Sequence, residues 1–221
     1  MKSIAFYNNK GGSGKTTLSF NAACYFAEHG LKVVAVCLDP QRDLLKYFAG
    51  PDGMLLKDEV IELRNIVAAY SPNKLPEGVD CDVLIADCPP DIAISRKVRP
   101  TRWVSPVDNN FSLDNLAGVL RDLRLSAPVT AVMNKAGAGG KWAAEELSHA
   151  LSTMRDIDIH KEEICQSRVI ARAMAEHRPV WETRFSKRAE GTKQIERFCA
   201  YLMRVCGLKP GARQKWPEWK R

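Results

Sequence analysis

Apolar and polar positions follow two rhythms along the chain. Short apolar runs bounded by turn residues fall at residues 3–8, 32–38, 82–87, 102–107 and 129–134. The second contains Val33, Val34, Ala35 and Val36 without a break, the pattern of a parallel strand covered on both faces. Between these runs the apolar residues recur at helical spacing. Leu18, Ala22, Tyr25 and Phe26 share one face over residues 16–29, with Gly30 as a C-cap. Leu113, Leu116, Leu120 and Leu123 do the same behind Ser112, a suitable N-cap. Further helices are predicted over residues 57–70, 141–154 and 192–206. Loops are predicted over 71–80, with Pro72, Pro76 and Gly78, and at Gly137, Gly139 and Gly140. Strands alternating with helices predict an α/β fold, a mostly parallel twisted sheet with helices on both faces. No internal repeat or low-complexity linker interrupts it. The chain therefore reads as one domain over residues 1–206, followed by an irregular basic tail over 207–221.

The strongest chemical signal is Lys10-Gly11-Gly12-Ser13-Gly14-Lys15-Thr16-Thr17, which ends the first predicted strand and opens the first predicted helix. A phosphate loop needs that setting. Its glycines admit positive φ and let backbone N–H groups approach phosphate, and the helix N-terminus adds partial positive charge. Gly11, Gly12, Ser13, Gly14, Lys15, Thr16 and Thr17 are thus nucleotide-binding candidates, with Lys15 on the β- and γ-phosphates and the Thr16 hydroxyl on Mg²⁺. Two acids end neighbouring predicted strands, Asp39 in Leu38-Asp39-Pro40-Gln41 and Asp87 in Ala86-Asp87-Cys88-Pro89-Pro90. Ligands of open α/β sheets bind beyond the carboxyl ends of strands, where metal and water need carboxylates.

The loop departs from the common pattern: Asn9 occupies the first glycine position, and a second lysine, Lys10, precedes the paired glycines. In this it resembles the deviant Walker ATPases of the ParA and MinD kind, a P-loop NTPase class. That resemblance implies that Lys10 reaches across a dimer interface to the partner's nucleotide. Asp39-Pro40-Gln41 and Asp87-Cys88-Pro89-Pro90 also match ParA-like motifs. By resemblance Asp39 orients the attacking water, Asp87 holds Mg²⁺ through water, and Asn134 contacts adenine. Lys10, Lys15 and Asp39 are then the catalytic set, ATP and Mg²⁺ the cofactors, and slow, adaptor-stimulated ATP hydrolysis the activity. Cys37 stands where the family carries a first acid, which removes a charge near the metal. Softer echoes lie in Trp103-Val104-Ser105-Pro106-Val107 and in Arg178-Pro179-Val180-Trp181-Glu182. The first predicted strand starts at once, so the resemblance is to the short plasmid-partition ParA proteins that lack an N-terminal DNA-reading domain.

Charge sharpens the choice of partner. The net charge is +7, yet residues 161–221 hold 15 Lys/Arg against 7 Asp/Glu, so all of the excess lies in the last quarter. Arg168, Arg172, Arg178, Arg184, Lys187, Arg188, Lys193 and Arg197 crowd there without a base-reading motif. Of these, Arg168, Arg172, Arg184, Lys187, Arg188, Lys193 and Arg197 are candidates for non-specific, salt-sensitive contacts to DNA phosphates. ParA-like dimers bind DNA in this way when ATP pairs their subunits. The tail has Trp216 and Trp219 among cations, but Pro210 and Pro217 break any amphipathic helix, which argues against a membrane partner.

Other classes fall away. No apolar run approaches the roughly 18 residues of a membrane span, and the apolar start is too short for a signal peptide, so a cytoplasmic, nucleoid-associated protein is expected. The seven cysteines form no C-x-x-C pair, which argues against a zinc or iron–sulfur site and against the nitrogenase iron protein; reduced, mostly buried thiols are expected. Tyr201 alone does not make the tyrosine cluster of a bacterial tyrosine kinase. The leading expectation is a partition ATPase. It would be a homodimer with ATP, bind DNA non-specifically, and release it when a ParB-like or other DNA-binding adaptor triggers hydrolysis. The same ATPase placing a protein cargo, such as a carboxysome or chemoreceptor cluster, or a division-site regulator, is the alternative.

Overall fold

The computed structural model describes residues 1–50, 60–72, 74–91, 93, 97–108, 113–124, 126–136, 145, 148, 149, 151 and 156–213. Its centre is one eight-stranded sheet of β1 (Lys2–Phe6), β2 (Val33–Cys37), β3 (Val60–Leu63), β4 (Ile66–Tyr70), β5 (Val83–Asp87), β6 (Arg102–Val107), β7 (Val129–Ala136) and β8 (Ile157–Cys165). The strand order is β3-β4-β2-β5-β1-β6-β7-β8, and every neighbouring pair is parallel except β3 with β4. The α-helices described over their whole length are α1 (Lys15–Glu28), α2 (Asp43–Ala49), α3 (Leu113–Arg124), α4 (Arg168–Ala175) and α5 (Glu190–Val205).

Side chains alternate across β1. Ile4 and Phe6 join a core with Leu18, Phe20 and Phe26 of α1 and Phe198 and Leu202 of α5. Ala5 and Tyr7 join a second core with Trp103 of β6 and Leu120 and Leu123 of α3. Helices thus cover both faces, and β2 and β5 are buried along their whole length, which explains their unbroken apolar sequence. Helix α1 ends as its glycine predicts. Gly30, at φ +81°, sits just past the last turn, and the N–H groups of Gly30 and Leu31 reach back to the carbonyls of Ala27 and Phe26.

One predicted element is wrong. In its described part, the helix expected over residues 57–70 is the β3–β4 hairpin, turning at Arg64-Asn65, with Leu63 paired to Ile66 and Val60 to Ala69. The β-branched Val60, Ile61, Ile66 and Val67 suit a pleated surface, and β4 finds its backbone partners along β2. A short apolar run does not by itself separate helix from strand. Elements α2, α4 and β8 were not predicted. Strand β8 is the sheet edge, and it interleaves Asp158, Lys161, Glu162 and Glu163 with buried His160 and Ile164, so it has no apolar run to read. Positions 145, 148, 149 and 151 are helical, within the helix predicted over 141–154. The Ser112 cap, the side chains of Leu113 and Leu116, the glycines at 137, 139 and 140, and Trp216 and Trp219 lie outside the described residues or side chains. Of the tail, residues 207–213 form neither helix nor strand, and Gly211 N–H donates to the His29 carbonyl. All seven cysteines are free thiols, five of them buried.

Candidate nucleotide site

Strands β1, β5 and β2 end side by side, with Asp87 in register with Phe6 on one side and Cys37 on the other. The loop after β1 therefore opens directly above the carboxyl end of the sheet centre. Asn8, buried, fixes its start: its Nδ2 donates to the Pro106 carbonyl at 2.8 Å, and its Oδ1 accepts from Lys10 N–H at 2.9 Å. Gly12 (φ +73°) and Gly14 (φ +99°) take the left-handed conformations that turn the backbone into α1.

The two lysines of the loop have different surroundings. Lys15 is buried and donates through Nζ to the Lys10 carbonyl at 3.1 Å. Burial pulls its pKa down, and the charges of Asp87 and Asp39 pull the other way. The Lys10 ammonium is more exposed and lies 2.8 Å from Oδ1 of Asp108, a mostly buried acid just beyond β6. Asp87 is 1% exposed, and burial pushes its carboxyl up to about 7, against the Thr16 and Ser19 hydroxyls and Lys15, which favour the ion. Its Oδ1 has no hydrogen-bond partner among the described residues. A buried carboxylate oxygen left open beside a threonine hydroxyl and an ammonium fits a hydrated divalent cation. Asp39 is half-exposed; its Oδ1 accepts from Gln41 N–H at 2.9 Å, which sets its side chain at the rim. Between them Cys37 donates its thiol to the Asp39 carbonyl, and burial pushes its pKa up to about 12. That position carries no charge.

Strand β7 straps the loop from the far side. Asn134 Nδ2 donates to the Ser13 carbonyl at 2.7 Å, and Lys135 Nζ donates to the Gly12 carbonyl at 2.5 Å. A Cβ on Gly14 would lie 2.0 Å from Asn134 Nδ2, so glycine is required there by space as well as by φ. The sequence reading missed Lys135, Asp108 and Asn8. All three follow or end strands at the same end of the sheet, and the rule that picked out Asp39 and Asp87 also applied to Asp108.

The basic candidates separate into two groups. Arg172 pairs with Glu176, Lys193 with Glu190, and Arg197 with both Glu162 and Glu190. Arg168, Arg184, Lys187 and Arg188 are exposed and make no ion pair among the described residues. The first turns of α4 and α5 touch, since a Cβ on Gly191 would come within 2.9 Å of Ser167 Cβ. Arg168 follows Ser167 directly, and Arg188 lies three residues before Gly191, so both flank this contact in the chain.

A mostly parallel sheet with a glycine loop between β1 and α1, one acid just beyond β2 and one at the end of β5 defines a P-loop nucleotide-binding protein. The chain belongs to the CobQ/CobB/MinD/ParA nucleotide-binding domain family, CbiA, whose profile matches residues 4–180. No curated protein sequence matches it. Among solved structures, a Cyanothece McdA variant in complex with ATP aligns with TM-score 0.69 at 16% identity, covering 95% of this chain and 97% of that one. A plasmid partition protein from Borrelia burgdorferi aligns with TM-score 0.61 at 15% identity, covering 92% and 98%. Cobyrinic acid a,c-diamide synthase from Mycobacterium smegmatis, with an ATP analogue and magnesium, aligns with TM-score 0.65 at 15% identity over 100% of both chains. At these identities the likeness speaks for the fold. No helix among the described residues is long and apolar enough to cross a membrane.

Proposed function

We propose that this chain is a ParA-type partition ATPase. Its ATP-bound homodimer holds DNA without sequence preference, and a ParB-like or other DNA-binding adaptor stimulates hydrolysis and release, so that plasmid or chromosomal DNA is segregated or positioned in the cytoplasm, at the nucleoid. The observation that carries this reading is the division of labour in one loop. Lys15 is buried in the cradle, while the Lys10 ammonium, 38% exposed, stands clear of it on Asp108. A lysine placed that way suits a phosphate other than the one its own loop encloses.

In this reading the backbone N–H groups of residues 11–16 and Lys15 bind the β- and γ-phosphates. The Thr16 hydroxyl and Asp87 would hold Mg²⁺, which would neutralise charge on the phosphates. Asp39, at the rim, orients the attacking water. Lys10 leaves Asp108 and reaches the partner subunit's nucleotide, so ATP itself joins the two subunits. Asn134 keeps its donor on Ser13 and offers its Oδ1 to the adenine amino group. Arg168, Arg184, Lys187 and Arg188 carry most of the DNA contact; Arg172, Lys193 and Arg197, already paired with acids, contribute less.

The test is retention on random-sequence duplex DNA with ATP and with ADP across a salt series, beside the sedimentation mass. ATP-dependent dimers whose DNA binding falls steeply with salt are expected. A monomer with ATP, or DNA binding equal with both nucleotides, overturns the reading. An ATP-dependent dimer without DNA binding favours placement of a protein cargo instead.

A further inference from the structure

The segment between α4 and α5 holds an aromatic side chain that no core accounts for. Phe185 is 65% exposed, and its φ is +69°. A bulky residue rarely takes that left-handed backbone, and strain of this kind persists where the surroundings impose it. Here they do. Thr183 and Ser186 are buried on either side, Thr183 Oγ1 donating to the Val180 carbonyl at 3.1 Å and Ser186 Oγ to the Trp181 carbonyl at 2.8 Å. The turn beneath is braced on α1 twice. Val180 N–H donates to Asn21 Oδ1 at 2.9 Å, and Trp181 Nε1 to Glu28 Oε1 at 2.6 Å. Phe185 is therefore held out by a rigid support.

Cations flank it in the chain. The Arg184 guanidinium lies 5.0 Å from the centre of the Phe185 ring, and Lys187 and Arg188 are exposed on the next turn. None of the three pairs with an acid among the described residues, in contrast to Arg172, Lys193 and Arg197. One exposed apolar ring beside three exposed cations that pair with no described acid complements a surface whose outer layer is anionic and whose inner layer is apolar. Duplex DNA has that layering, with phosphates outside and sugar and base edges in the groove. A protein partner fits less well, since charged residues as a class are depleted at the centres of protein interfaces, whereas nucleic-acid interfaces are rich in positive charge.

We propose that the turn at residues 183–189 is a DNA contact in which Arg184, Lys187 and Arg188 meet phosphates and the Phe185 side chain enters the groove between them. This rests on the DNA-binding reading above and adds an apolar anchor to it. The two kinds of contact leave different traces in salt: a phosphate contact changes the slope of log affinity against log salt, and an apolar contact changes affinity at constant slope.

The experiment is fluorescence anisotropy of the full chain with ATP and Mg²⁺ on random-sequence duplex DNA across a salt series, for wild type and single variants. Phe185→Ala should lower affinity about tenfold with an unchanged slope. Lys187→Ala and Arg188→Ala should each reduce the slope by about one. Phe185→Trp should restore affinity. Phe185→Gly relieves the left-handed strain, so it should melt no lower than wild type while binding DNA as weakly as Phe185→Ala. Phe185→Ala binding as wild type does overturns the anchor and leaves the partition reading standing. Wild type that holds no duplex with ATP overturns both. Loss of Phe185→Ala from phosphatidylserine vesicles with full DNA affinity overturns the anchor in favour of a membrane contact.

Discussion

Lys10 Nζ lies 2.8 Å from Asp108 Oδ1, so the lysine that resemblance sends to another subunit is held by an acid of its own chain. The two residues come from the loop after β1 and the end of β6, adjacent strands of the sheet. For Lys10 to act in trans, this contact has to open.

Removing the acid's charge should ease that opening. A half-exposed pair of this kind contributes about 1 kcal/mol, and one opens in each subunit, so Asp108→Asn should tighten ATP-dependent dimerisation roughly 30-fold. Sedimentation equilibrium with ATP measures it. A weaker dimer would show that Asp108 serves the closed state instead.

Lys15→Ala removes the one buried ammonium of the cradle. Nucleotide binding measured by calorimetry should fall at least about 100-fold, the scale of a lost buried charge contact to phosphate. Asp39→Ala should leave binding intact and trap the ATP dimer, with turnover down about 100-fold. Phosphate-release assays and gel filtration separate the two effects.

Asp87 should show a conflict between stability and function. Burial raises its carboxyl to about 7 in the folded chain, from 3.8. Holding it ionised therefore costs stability above pH 7, and that cost fades as pH falls toward 3.8. Asp87→Asn should raise the nucleotide-free melting temperature at pH 8 by on the order of 5 °C. It should also abolish the Mg²⁺ dependence of nucleotide binding. A variant that melts lower contradicts the buried-charge argument.

Gly14→Ala places a Cβ 2.0 Å from Asn134 Nδ2 at φ +99°. Destabilisation of about 2 kcal/mol or more is expected, with loss of nucleotide affinity. Adding Asn134→Ala removes the clash but leaves the backbone strain, so chemical denaturation should show only partial rescue.

His160 predicts the acid limb of stability. It lies against the rings of Phe198 and Tyr201, and burial, with Arg197 nearby, lowers its pKa to about 4 from 6.5. The folded chain keeps it neutral while the unfolded chain protonates it first. The His160 contribution to stability should therefore be full above pH 6.5 and decline between about 6.5 and 4, by about 3 kcal/mol, while the Asp87 cost fades over the same range, so the His160 effect is read as the difference between wild type and variant. Denaturant titrations of wild type and His160→Leu against pH test this, and the variant should lose that slope.

The fold was legible in the sequence wherever burial was complete. Strands β2 and β5 are covered on both faces, so nearly every residue in them is apolar. The glycine loop announces itself because only glycine takes φ +73° and φ +99° at Gly12 and Gly14 without strain. Strand β8 and the β3–β4 hairpin escaped because strands at and next to the sheet edges are half-wet and their polarity follows solvent as much as strand period.

The sequence by itself determined the phosphate cradle, the acid just beyond β2 and the one ending β5, and the excess of positive charge near the C-terminus. Those depend on residue type at short range. Only the tertiary structure decided that Lys10 rests on Asp108, that Asn134 and Lys135 strap the loop from β7, and which arginines are already paired. The loop contacts and the Arg197–Glu162 pair join residues far apart in the chain, and strand order, which no local pattern encodes, brings them within bonding distance.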